Sequence, residues 1–141
     1  MIDTKKTTQE ILQEEFLRER AAVLARAGEH LEAALAVLRQ IEGRIDEALA
    51  VRRRGKAAKA GGASGSGADD GLSNDRINEM IRAYNDQIGK VRTRHYELIV
   101  TREALGLVHH QRLEEIYRIP PKKRCLPEKR PTPGDASSPR R

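Results

Sequence analysis

Apolar positions between residues 74 and 117 recur every seven residues. Ile77, Tyr84, Val91, Leu98 and Leu105 form one series, and Ile81, Ile88, His95, Arg102 and His109 form a second series four positions behind it. Two interleaved series of this kind are the a and d seam of a coiled-coil helix. The first third of the chain carries its own seam. Leu24, Leu31, Leu38 and Ile45 are spaced by seven and offset by three from Ala27, Ala34, Ile41 and Ala48. His95, Arg102 and His109 interrupt the second helix's seam with polar groups, a device that fixes pairing and register at some cost in stability.

The ends of both periodic stretches carry boundary signals. Thr7 and Glu10 have the spacing of a capping box, and Arg52, Arg53 and Arg54 before Gly55 suit a helix C-terminus, so helix 1 is expected over residues 7–54 after an arm of residues 1–6. Residues 55–73 hold six of the eleven glycines among Ala, Ser, Lys and Asp, which predicts a flexible linker. Ser73 or Asn74 can cap helix 2, which is expected to run over 74–119 and to end before Pro120 and Pro121. Every proline lies from Pro120 onward, so residues 120–141 read as a disordered basic tail.

At about 1.5 Å per residue the two helices would each be about 65 to 70 Å long. A linker of this length reaches about 65 Å only when fully stretched. The fold class this implies is all-α, two long helices forming an antiparallel coiled-coil hairpin. Facing positions then pair Leu24 with Leu105, Leu31 with Leu98, Leu38 with Val91 and Ile45 with Tyr84. Small residues fall opposite large polar ones, Ala27 against Arg102 and Ala34 against His95. Helix 1 is also apolar beside its seam, at Leu35 and Leu49 on one flank and Val37 and Val51 on the other. One helix cannot cover so broad a stripe. These four residues are therefore the expected partner-binding face, its occupant a second copy or another helical protein.

Composition narrows the picture. The chain has 141 residues, three Tyr, one Phe and no Trp, too few aromatics for a thick core, and its 34% charged residues suit long solvated helices. The formal net charge of +6 is local: residues 118–141 hold eight bases and two acids, whereas residues 74–117 balance seven against seven. The polar start before Glu10 is no secretory signal and no apolar run approaches a membrane span, so the expected location is cytoplasmic, with no membrane partner. A single cysteine, Cys125, excludes an internal disulfide and fits a reducing compartment.

Candidate chemistry is sparse. His95, Arg102 and His109 are seven apart, roughly 10 Å along a helix axis, too far for one ion, and no H-E-x-x-H spacing occurs. Cys125 has no structured base beside it, and the pairs Glu14 with Glu15 and Glu114 with Glu115 point in different directions on a helix. No enzymatic activity, cofactor, metal or small-molecule substrate is expected. The basic residues Lys122, Lys123, Arg124, Lys129, Arg130, Arg140 and Arg141 could neutralise phosphates or meet an acidic protein surface. The sequence thus predicts a non-catalytic interaction or assembly module, an adaptor, stalk or scaffold component that forms a homo-oligomer or binds another helical protein. The alternative is a small accessory nucleic-acid-binding protein that dimerises through the hairpin and contacts phosphates through its tail.

Overall fold

The computed structural model of the chain describes residues 5–62 and 73–127. Among these residues the structure is an all-helical hairpin without strands. It comprises α1 (Thr8–Ala60), α2 (Asn74–Ala104) and a short α3 (Gln111–Ile116), with the two long helices packed on each other. The capping box forms at the start of α1. The Thr7 N–H donates to Glu10 Oε2 at 2.8 Å, and the Glu10 N–H donates to Thr7 Oγ1 at 3.3 Å. Ser73 caps α2, its Oγ accepting the Arg76 N–H at 3.4 Å.

Three boundaries differ from the sequence expectation. Helix α1 continues through Gly55 to Ala60, because one glycine costs a helix only about 1 kcal/mol and Lys56, Ala57 and Ala58 beyond it are good helix formers. Of the stretch 55–73 expected as a linker, residues 55–60 are therefore helical, Gly61 and Gly62 lie in a turn, and residues 63–72 lie outside the described residues. Helix 2 does not run to 119. Gly106 adopts φ +85°, the Leu107 N–H donates to the Arg102 carbonyl at 2.8 Å, and the Gly106 N–H donates to the Glu103 carbonyl at 2.9 Å. This pair of bonds is a Schellman cap, and the left-handed residue it needs is the one type without a Cβ. The break turns the chain through residues 105–110 into α3 and back onto the hairpin.

The third correction concerns the tail. Residues 117–127 form an extended strap along the hairpin, with Tyr117, Ile119 and Leu126 packed against the core, so the disorder expected from 120 onward does not hold for 120–127. Residues 128–141 lie outside the described residues. What the proline-rich composition misses is that an extended segment can be ordered by side chains of the helices beneath it.

The core between the helices is built from Leu31, Leu38 and Ile45 on α1 and Ile77, Tyr84, Ile88 and Val91 on α2, all buried. Two hydrogen bonds locate the pairing. Gln87 Nε2 donates to the Ala34 carbonyl at 2.9 Å, and the Arg20 guanidinium donates to the Leu105 carbonyl. The expected register would put Ala34 beside His95 and Leu105 beside Leu24. Gln87 lies eight positions from the residue expected beside Ala34, and Leu105 four positions from the residue expected beside Arg20, so both bonds depart from that register in the same direction. The nearest shift that keeps apolar residues in the seam is one heptad, which would put Leu31 opposite Val91, Leu38 opposite Tyr84 and Ile45 opposite Ile77. A disulfide test follows. With Cys125 replaced by Ser, the pair Leu31→Cys and Val91→Cys should oxidise within one molecule, and Leu31→Cys with Leu98→Cys should not; the reverse result on non-reducing gels would restore the first register.

Candidate interaction surfaces

The strap is held by asparagines on one stripe of α2. The Lys123 N–H donates to Asn85 Oδ1 at 2.9 Å, and Asn85 Nδ2 returns a bond to the Lys123 carbonyl at 2.9 Å. One heptad away, the Leu126 N–H donates to Asn78 Oδ1 at 2.7 Å, and Asn78 Nδ2 donates to the Leu126 carbonyl at 3.0 Å. Asn74 Nδ2 adds a bond to the Pro127 carbonyl at 2.9 Å. A carboxamide carries donor and acceptor side by side, so it can satisfy both polar groups of one residue in an extended peptide. Seven residues of helix rise about 10.5 Å and three extended residues span about 10 Å, which is why the asparagines repeat by seven and their clients by three.

Side chains add selectivity. Lys123 Nζ lies 3.2 Å from Glu42 Oε1 and 5.0 Å from the centroid of the Tyr84 ring. The Tyr117 hydroxyl donates to Glu32 Oε1 at 3.0 Å. Leu35, Leu38, Tyr117 and Pro120 line one shallow groove between α1 and the strap. Burial raises the Tyr84 phenol above its ordinary pKa, and the nearby Glu42 carboxylate adds to the shift. Tyr117 is raised first by burial and then by its bond to Glu32.

This arrangement decides where the sequence-predicted residues lie. Leu35, expected on the outer face, is only 7% exposed and shares its groove with the strap, and Leu49 is half-buried against the core. Val37 and Val51 on the other flank are exposed. His95 and Arg102 are half-buried on α2, whereas His109 falls beyond the helix, in the turn, and is exposed. The Arg102 guanidinium reaches the His109 carbonyl at 3.1 Å. His110, which the heptad reading passed over, pairs with Glu103 at 3.2 Å. His95 Nε2, Arg102 Nε and His110 Nδ1 are buried without a hydrogen-bond partner. Of the basic residues, Lys122 and Arg124 are exposed, Lys123 is engaged as described, and Lys129, Arg130, Arg140 and Arg141 lie outside the described residues. Cys125 is exposed on the strap. Among the described residues no group of three or more His, Cys, Asp or Glu could hold a metal, and no helix is long and apolar enough to cross a membrane.

A second surface lies at the other end of the molecule. Helix α2 ends beside Arg20, so the first turns of α1 extend past it. Ile11, Leu12, Phe16 and Leu17 are more than half exposed there, and Val108 and Ile116 are 67% and 68% exposed. Leu17 continues the Leu24, Leu31 and Leu38 series without a facing helix.

The asparagines were missed because side chains flanking a heptad seam are expected to be solvated. Their signal was three poor helix formers at 74, 78 and 85 on one stripe of an otherwise helix-favouring segment. Replacing Asn78 or Asn85 by Ala should cost about 1 to 3 kcal/mol locally by leaving a peptide unit unpaired. Hydrogen exchange at Lys123 and Leu126 should quicken while helix content by circular dichroism stays near the wild type. Alkaline titration supplies a second expectation. A phenol whose folded pKa is raised contributes stability that is complete below its unfolded value of about 10 and is lost as pH rises through the folded value. By ultraviolet absorbance Tyr84 and Tyr117 should ionise above the ordinary phenol range, as the strap loosens. Compared with protein families, curated proteins and solved structures, the chain matches none of them.

Proposed function

We propose that the chain is a non-catalytic assembly module, an antiparallel coiled-coil hairpin that associates through the apolar first turns of α1. The observation that carries this reading is the run of Ile11, Leu12, Phe16 and Leu17 exposed beyond the end of α2. Burying Phe16 or Leu17 fully would contribute roughly 1.5 to 3 kcal/mol each, and contiguous exposed apolar surface of this kind marks interaction sites. In the coiled-coil layers Leu31 meets Val91, Leu38 meets Tyr84, Ile41 meets Ile81 and Ile45 meets Ile77. The burial of Leu31, Leu38, Ile45, Ile77, Ile81, Tyr84 and Val91 supports that layering. The seam opens toward the α1 N-terminus, where a partner helix would continue it. Glu10, Glu15 and Glu19 flank the apolar positions, so the partner surface is an apolar helix face with basic margins, and a second copy or another helical protein can supply it.

A nucleic-acid reading stands second, on the observation that Arg118, Lys122 and Arg124 are exposed along the ordered strap. Phosphate binding by these groups would weaken steeply with salt and read no base sequence.

Sedimentation equilibrium separates the two. The full chain should associate, and Leu12→Glu with Leu17→Glu should weaken association at least tenfold without loss of helix content. A wild type that stays monomeric at high concentration removes self-association. Salt-sensitive binding to duplex DNA that is lost in Lys122→Ala with Arg124→Ala would favour the second reading.

A further inference from the structure

We propose that Asn74, Asn78 and Asn85 form a peptide site for the strap of a second copy, so that two chains trade residues 117–127. This inference rests on the assembly reading and names the element exchanged. The site reads peptide backbone through paired amide bonds, and its selectivity comes from Glu42, which takes the lysine of the segment. Nothing in these contacts requires the segment to belong to the same molecule. A second copy carries the identical segment, so complementarity is assured.

The turn at 105–110 makes the exchange feasible. Ile116 falls seven residues after His109 in the second series, no proline occurs before Pro120, and the one glycine of the turn is Gly106. Straightening this turn would fuse α2 and α3 into one helix and replace a Schellman cap by ordinary i to i+4 bonds. That longer helix would run from Arg20 along Leu17 and Leu12, covering the side chains that the closed chain leaves exposed. It would leave the hairpin at the end where α1 begins. The strap of a facing copy starts from that same end, since Tyr117 meets Glu32 and Lys123 meets Glu42 further along α1. A twofold arrangement with the two α1 N-termini facing each other therefore lets each copy hand over its segment, while the fused helix of each chain covers its own apolar first turns. In one molecule the tether keeps the strap at an effective concentration on the order of millimolar, so the closed form dominates in dilute solution.

Two full-length variants remove that competition. Asn78→Ala with Asn85→Ala spoils the site and keeps the segment. Lys123→Glu with Leu126→Asp spoils the segment and keeps the site. Mixed in equal amounts, they should form a 1:1 complex by native mass spectrometry at least ten times more tightly than either associates alone. Equal association of the mixture and of each variant would overturn the exchange and leave the assembly reading standing. No association in any sample, the wild type included, would overturn both. Should either variant lose its helices, Gly106→Ala in the wild-type chain decides the matter. Alanine is strained at φ +85° and favours the fused helix, so the dimer fraction should rise roughly tenfold. An unchanged or smaller dimer fraction would overturn the exchange.

Discussion

The apolar stripe of α1 is broader than one helix can cover, and the remainder of the structure follows from that mismatch. Leu31, Leu38 and Ile45 face α2, but Leu35 lies to one side of the seam, where an antiparallel neighbour would leave it half in water. A longer α2 would not help, because added turns extend the seam without widening it. The chain instead stops α2 at Gly106 and returns a segment through α3, so that Tyr117 and Pro120 come to share a groove with Leu35. The strap thus acts as a third layer made without a third long helix.

An extended layer creates a problem that a helix would not. Its backbone N–H and C=O groups have no internal partners, and burying them unpaired costs more than the apolar contacts return. Asn78 and Asn85 resolve this at two places along the strap, and Asn78 is itself 1% exposed. Asparagine is a poor helix former, so its presence at these positions is understandable only in view of the strap. The same logic explains Lys123. Its ammonium sits between the Glu42 carboxylate and the Tyr84 ring, and the aliphatic stem covers part of the seam's flank.

How much of this was legible depended on the range of the signal. The capping box of Thr7 and Glu10, the cap at Ser73 and the seven-residue seams are local patterns, and each appears in the structure. The helix breaks needed a comparison of small energies. Gly55 and Gly106 look alike in the sequence, yet α1 passes through the first, and α2 ends at the second, where a Schellman cap closes the helix and the chain turns into α3. Register was beyond the sequence for a similar reason: a shift of one heptad preserves apolar layers, and the hydrogen bonds of Gln87 and Arg20, which depart from the expected pairing, come from side chains outside the seam. The strap was hidden by composition, since proline and lysine describe how a free chain behaves and say nothing of a groove already lined to receive it.

Burial along the seam is not uniform, and the gradient has a direction. Leu31 and Ile45 are sealed, Leu24 is half-buried, and Leu17 is 61% exposed, although the three leucines belong to one heptad series. The polar interruptions follow the same gradient. His95 and Arg102 sit where α2 approaches its end, with His95 Nε2 and Arg102 Nε buried without a partner, while His110 beyond them bonds Glu103 through Nε2 and leaves Nδ1 without one. Unsatisfied buried polar atoms are costly in a finished core. Their concentration at one end, next to exposed Phe16 and Leu17, describes a core that is complete at the middle of the hairpin and left open where the first turns of α1 emerge. The apolar seam of α1 thus outlasts the helix that covers it, and polar atoms without partners border the place where it emerges.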